Sequence, residues 1–133
     1  MSVPCCSATL IILGEALDPA LVSELLGLSA DAQWRRGEQK RSGQLVFDSV
    51  HEWGGWKRFI PAELRDAELQ EQLEHWIELL APREAALQRL AARGYELELN
   101  CFTASSAELY LAPALLARLA SWGVGLSLHV MAD

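Results

Sequence analysis

The clearest hydrophobic pattern in the chain is an alternation over residues 95–102. Its odd positions are mostly apolar: Tyr95, Leu97, Leu99 and Cys101. Its even positions are mostly polar: Glu96, Glu98, Asn100 and Phe102. Because side chains alternate between the two faces of a strand, this pattern predicts a sheet with one apolar face and one largely polar face. Residues 124–131 repeat the division, and Gly125, Ser127 and His129 lie on their more polar side.

Other stretches predict further strands. Residues 5–13 alternate, and the inner face holds Cys6, Ala8, Leu10 and Ile12. Residues 44–50 and 56–60 are predicted to pair with each other as a hairpin around a turn at 52–55. Residues 28–43 have no clear period and are predicted to form a loop.

Helical spacing fills the segments between these strands. Asp18-Pro19 is a typical helix start, since Asp caps free amides and Pro suits the first turn. The longest helix is predicted within residues 61–80. Its inward stripe is Leu69, Leu73, Trp76, Ile77 and Leu80. Pro82 lacks a backbone N–H, so it is expected to kink the helix or restart it as a second piece. A second piece follows, and the last helix is predicted over residues 113–122, before the stop at Gly123.

These elements together predict an α+β protein with a mixed or antiparallel sheet and helices packed on one face. A ferredoxin-like variant is the nearest named architecture. The length of 133 residues fits a single domain over residues 1–133.

Composition narrows the classes of partner. The net charge of −7 argues against nucleic acid and against anionic membranes. We find no signal-peptide pattern and no apolar run of the roughly 20 residues that a membrane span needs. Three cysteines, two of them adjacent, form no disulfide framework, so we expect a reducing, cytoplasmic setting.

The positive charge is concentrated in one segment. Six of the eleven basic residues are Arg35, Arg36, Lys40, Arg41, Lys57 and Arg58, with three tryptophans interleaved. Arginine beside aromatic residues is typical of interface anchors and of anion binding. The predicted binding residues are Trp34, Arg35, Arg36, Glu38, Trp56 and Arg58. The alternative is a solvated loop whose tryptophans plug the core.

The polar sheet face is a second candidate. Glu96, Glu98, Asn100 and His129 are predicted to share it. A carboxylate beside an imidazole is the minimum for acid–base chemistry, although a solvent-covered face is normal for such sheets.

Metal and thiol chemistry have weaker support. Glu71, His75 and Glu78 share a helix face but lack the spacing of a zinc motif, so a solvated acidic face is the simpler interpretation. Cys6 and Cys101 fall on inner faces, where thiols act as small hydrophobic groups. The sequence therefore predicts no catalytic residue, no metal and no cofactor.

Several short segments resemble an uncharacterised bacterial family, the domain of unknown function 4279. The most specific is Trp34-Arg35-Arg36-Gly37-Glu38, which follows the Leu-Gly-Leu helix end at 26–28. The others include Leu17-Asp18-Pro19, Gly55-Trp56, Leu80-Ala81-Pro82, Gly94-Tyr95-Glu96 and the ending at 115–128. The resemblance covers nearly the whole chain and implies a small α+β domain without known catalytic residues. By analogy of class, such families include immunity proteins that silence toxins.

Three functions remain open at this level. The first is a non-catalytic binding protein, such as a toxin-neutralising partner, because acidic and basic surfaces are segregated and no catalytic signature is present. The second is a sensor of a small anionic ligand or nucleotide that uses the Trp/Arg segment. The third is a hydrolase-like enzyme built on Glu98 and His129. The sequence leaves the oligomeric state open.

Overall fold

A five-stranded sheet organises the protein, and the computed structural model describes residues 6–104 and 108–132. The strand order is β2-β5-β1-β6-β7. Neighbouring strands are antiparallel except for β6 and β7, which are parallel. The five strands are β1 (Cys6–Gly14), β2 (Ala32–Trp34), β5 (Gly54–Arg58), β6 (Glu96–Ala104) and β7 (Val124–Met131).

Two further strands form a separate hairpin, which we term the ribbon. It consists of β3 (Gln39–Ser42) and β4 (Leu45–Val50). Ser42 pairs with Leu45 across a two-residue turn, in which Gly43 has a φ of 61°. Tight hairpin turns need positive φ, which glycine adopts at little cost.

The helices cover one face of the sheet. They are α1 (Pro19–Leu26), α2 (Leu69–Leu80), α3 (Glu84–Ala92) and α4 (Pro113–Trp122). Short 3₁₀ turns at Ala62–Leu64 and Ala81–Arg83 precede and follow α2. The Asp18 side chain accepts a hydrogen bond from the Ala20 amide at 3.0 Å, which caps α1 as predicted.

The core lies between the helices and the inner sheet face. Trp56 and Trp76 are both fully buried and anchor it. The Trp76 indole donates to the Ala8 carbonyl at 3.0 Å, and the Trp56 indole donates to the Ser23 hydroxyl at 3.0 Å. Each large ring therefore fills space and has its polar atom satisfied.

The α+β class with a mixed sheet and helices on one face is confirmed. Leu97 and Leu99 are buried while Glu96 is exposed, as the alternation predicted. The order differs from a ferredoxin-like sheet, whose neighbouring strands are antiparallel, because β6 and β7 are parallel neighbours joined through α4.

Two predictions in the middle of the chain were wrong. Residues 28–43 contain β2 and β3 rather than a continuous loop. The expected pairing of 44–50 with 56–60 does not form, since β4 pairs with β3 and β5 pairs with β1 and β2. The Gly43 turn closes β4 onto the strand just before it, which leaves β5 free to enter the main sheet.

Candidate functional site: a cleft beneath the ribbon

The helix-free sheet face and the ribbon enclose a cleft of about 860 Å³, which we term the ribbon cleft. Its floor comes from β1, β5 and β6, and its wall comes from β2, β3 and the two residues that flank the ribbon, Glu38 and His51. The floor residues include Ile11, Leu13, Lys57, Glu98 and Asn100. The wall residues include Trp34, Glu38, Gln39, Lys40, Arg41 and His51. A space of this size lies within the range of ligand pockets.

Trp34 joins the ribbon to the sheet. Its ring rests on Gly55 of the neighbouring strand, where a Cβ atom would collide with it. Its indole N–H donates to the Trp53 carbonyl at 3.0 Å, and its ring stacks on His51 with centroids 4.6 Å apart. The Lys57 ammonium lies 5.5 Å from the ring centroid, a cation–π distance. The absence of a side chain at Gly55 therefore allows the Trp34 ring to lie against this strand.

The surroundings of His51 disfavour the protonated form of its imidazole. Burial is the main reason that its pKa lies below the ordinary value of 6.5, and the positive charges of Lys40 and Lys57 lower the pKa further. Glu38 acts in the opposite direction. The neutral imidazole is therefore favoured where it stacks on Trp34.

The floor of the ribbon cleft holds a polar atom without a partner. Asn100 Oδ1 is buried and accepts no hydrogen bond from the described part of the chain. Ser127 lies opposite Asn100 in the β6–β7 register, and its Oγ is also unsatisfied. Buried polar atoms without partners are rare, so a hydrogen-bond donor from a ligand is a natural complement to Asn100.

The six binding residues predicted from the sequence separate into two groups. Trp34 and Glu38 line the ribbon cleft. The remaining four have other contacts and do not line it. Arg35 pairs with Asp18 at 2.8 Å and Arg36 with Glu15 at 3.0 Å, both at the exposed surface. Trp56 belongs to the core, and Arg58 donates to the Ser29 carbonyl at 2.7 Å.

The sheet-face candidates share the helix-free face but not one site. Glu98 and Asn100 lie in the ribbon cleft, and Glu96 lines a smaller recess of about 200 Å³ with Glu98. His129 stacks on Phe102 with centroids 4.6 Å apart.

The proposed acid–base pair is not formed. In the register Glu98 lies opposite Gly125, and His129 lies opposite Phe102. The offset is four residues, or roughly 13 Å along the strands. This distance leaves the hydrolase hypothesis without the hydrogen-bonded pair that it requires.

His51 is a cleft residue that sequence reasoning missed. It lies just after β4, and its amide donates to the Glu38 carbonyl at 2.9 Å, which continues the ribbon ladder. The signal for it was the glycine at position 43, because a tight turn there brings residue 51 back to Trp34.

Within residues 6–104 and 108–132, no group of three or more His, Cys, Asp or Glu residues is arranged to hold a metal ion. Cys6 and Cys101 are buried, whereas Cys5 lies outside these ranges. Burial, with the charge of Glu98 and then Cys6 as smaller causes, raises the pKa of the Cys101 thiol to about 12.

Within the same described ranges, no helix has the length and apolar character needed to cross a membrane.

The comparisons with known proteins identify the family. The chain belongs to the domain of unknown function family DUF4279, whose model matches residues 4–133. Searches of curated proteins and of solved structures returned no significant match.

Proposed function

We propose that this domain is a non-catalytic binding protein that holds a protein partner against its ribbon and ribbon cleft. The exposure of β4 carries the proposal, since all six of its residues are exposed. Its large apolar side chains are Leu45, Val46, Phe47 and Val50, with exposed fractions of 66, 49, 46 and 46%. Contiguous exposed apolar groups of this kind mark interaction sites in soluble proteins.

The charge beside these apolar residues indicates the character of the partner. Lys40 and Arg41 lie on β3, and neither forms an ion pair with any residue that the structure describes. Residues 31–58 hold six basic and four acidic side chains, whereas the whole chain has a net charge of −7. An interface that combines apolar anchors with arginine favours a partner that presents apolar and acidic groups together.

The acidic side chains of the helix layer also favour binding of an acidic partner at the ribbon. Glu71, Glu74 and Glu78 are exposed on α2, in the helix layer. The ribbon cleft lies on the opposite face of the sheet. An acidic partner is repelled from the helix layer and steered toward the ribbon.

Toxin neutralisation is the narrower form of this proposal. A neutralising protein covers the working surface of a toxin and needs no reactive groups of its own. The exposed ribbon next to a concave cleft suits that task, because the ribbon supplies anchors and the cleft accepts a projecting segment.

Site-specific photo-crosslinking in the native cell tests the binding proposal. A benzophenone side chain is placed at Val46 on the ribbon or, as a control, at Tyr110, which is 67% exposed outside it. We expect one protein to be captured reproducibly from position 46 and not from position 110.

The captured protein is then purified and titrated against two matched variants. Phe47→Ser is expected to weaken binding by roughly tenfold or more, as for a central aromatic anchor. Tyr110→Ser is expected to leave the affinity unchanged. Equal affinity for Phe47→Ser and the wild type would overturn the proposal. If the partner binds as expected but causes no growth arrest when expressed alone, the toxin-neutralising form fails while the binding form stands.

A small anionic ligand is a second candidate occupant of the ribbon cleft. The observation that favours it is the combination of Lys40, Arg41 and Lys57 with the unsatisfied Asn100 Oδ1 in a single lining. A ligand with an anionic group and a nearby hydrogen-bond donor satisfies both features.

A thermal-shift screen with nucleotides, sugar phosphates and dicarboxylates tests this candidate. Stabilisation that is lost in Lys57→Met and Asn100→Leu is the expected result. The double variant Arg35→Ala/Arg36→Ala is the control, since those side chains lie outside the cleft and should not alter binding. No stabilisation by any ligand would remove the candidate.

A further inference from the structure

Strand β7 forms a long free edge of the main sheet. It pairs with β6 on one side, and no other described strand pairs with it. It spans eight residues, so about half of its backbone N–H and C=O groups point outward without a strand partner. An edge of this kind is a template for another strand. The opposite edge, β2, spans three residues.

The composition of β7 offers no protection against such pairing. Soluble proteins usually guard edge strands with charged residues, especially lysine, or with proline. Residues 124–131 contain neither a charged side chain nor a proline. Leu128, Val130 and Met131 are nevertheless 44, 59 and 44% exposed. The edge therefore has the composition of a buried strand at the surface of the protein.

Helix α4, which packs against β7, is almost as poor in charge. Arg118 is the single charged residue in the sequence between 109 and 132. It lines a groove between α4 and α2 together with Glu74 and Glu78. Leu116 is 44% exposed and lies about 160° around the helix from Arg118. Leu116 therefore faces away from that groove.

We propose that β7 is a dimerisation edge, at which two copies of this chain pair their β7 strands antiparallel about a two-fold axis. The two sheets then form one continuous sheet. Each outward N–H and C=O group of β7 gains a partner, and the apolar side chains of the edge are covered. A two-fold axis places the same surface on both partners, so the surface must be complementary to itself.

The charge distribution selects a second copy as the occupant. Two chains with a net charge of −7 repel each other wherever their carboxylates meet. Between Glu108 and Asp133 the sequence contains no carboxylate, so pairing along β7 itself brings no carboxylates of the two copies together. An unrelated charged partner would find no opposite charge here to recognise.

The dimer leaves the proposed binding site accessible. In the order β2-β5-β1-β6-β7, the β2 edge beside Trp34 lies four strands from β7, or roughly 19 Å. The two ribbons of a dimer therefore lie toward opposite ends of the joined sheet. The dimer does not depend on what the ribbon binds.

Sedimentation velocity of the full chain over a concentration series tests the proposal. The informative variant is Val130→Lys, which introduces a charge at the edge. The matched control is Val46→Lys, since Val46 on the ribbon has a similar exposure of 49% against 59% for Val130. We expect a dimer for the wild type and for Val46→Lys. For Val130→Lys we expect a dissociation constant raised by roughly a hundredfold, because a lysine on an edge strand opposes pairing and its charge is costly to bury among the apolar side chains of the joined edge.

A second variant at the same edge, together with a check of the fold, distinguishes loss of the dimer from misfolding. Met131→Glu, near the end of the strand, should weaken the dimer as well, and circular dichroism checks that both variants retain the fold. A wild type that sediments as a monomer at every concentration would overturn the proposal. A dimer that survives both Val130→Lys and Met131→Glu would do the same.

Discussion

Gln72 takes the place of a missing strand beside Ala8. Strand β5 ends opposite Leu10, so the Ala8 amide extends beyond its last pair. The Gln72 side-chain oxygen accepts that amide hydrogen at 2.8 Å, while the Trp76 indole donates to the Ala8 carbonyl. Gln72 and Trp76 lie one helical turn apart on α2, so a single helix face satisfies both backbone groups.

Replacing Gln72 tests this role. Its side-chain nitrogen also donates to the carbonyls of Leu64 and Ala67, at 3.2 and 3.1 Å. We expect Gln72→Leu to lower the free energy of unfolding by about 2–4 kcal/mol, since several buried groups lose their partner at once. Urea denaturation measures the change. Gln88→Leu, at an exposed position of α3, should cost less than about 0.5 kcal/mol. Similar costs for the two variants would refute the role of Gln72.

Gly55 should control the position of Trp34. In Gly55→Ala the added methyl group meets the Trp34 ring, so the ring must move away from His51 and from the Trp53 carbonyl. We expect altered tryptophan fluorescence and a loss of about 1–3 kcal/mol in stability. Gly125→Ala is the matched control, because its methyl group meets only the Leu97 carbonyl at 3.7 Å, an ordinary contact. The contact between Trp34 and Gly55 is disproved if both variants behave alike.

The lowered pKa of His51 predicts acid sensitivity. The unfolded chain takes up a proton near the ordinary value of 6.5, whereas the folded chain resists it until a lower pH. The contribution of this group to stability is therefore complete above about 6.5 and is lost as the pH falls toward the folded-state pKa. Denaturation at several pH values should show that loss, and His51→Gln should remove it. An unchanged pH dependence in His51→Gln would contradict the assignment.

The buried thiols should resist modification. The pKa of Cys101 is raised to about 12, so the reactive thiolate is scarce at neutral pH. In a Cys5→Ser variant, which keeps Cys6 and Cys101, we expect no rapid reaction of the folded protein with Ellman's reagent. Both thiols should react after unfolding in guanidinium chloride. Rapid reaction of either thiol in the folded state would contradict the burial of Cys6 and Cys101.

Local patterns predicted much of the fold. The alternation over residues 95–102 and the cap at Asp18 depend on neighbours in the sequence, and a strand and a helix form at these places. The partner of β5 depends on which of several apolar strands competes best for it, and no local pattern encodes that choice. The buried role of Gln72 was also beyond sequence reasoning, because a polar residue on a helix is normally assigned to solvent.

The candidate site shows the same division. Trp34 and Glu38 were selected by composition, and they line the ribbon cleft. Arg35 and Arg36 have the same composition but face Asp18 and Glu15, which are distant in sequence. Composition identifies the segment, but the direction of each side chain depends on the ribbon, where the sequence pattern predicts a loop and a different hairpin.

Hydrogen–deuterium exchange on the complex with the captured partner tests the central claim that the binding surface is the ribbon and the helix-free sheet face. The account predicts slower exchange over residues 39–51 on binding, with little change over α2. Protection confined to residues 69–80, with the ribbon unchanged, would contradict it.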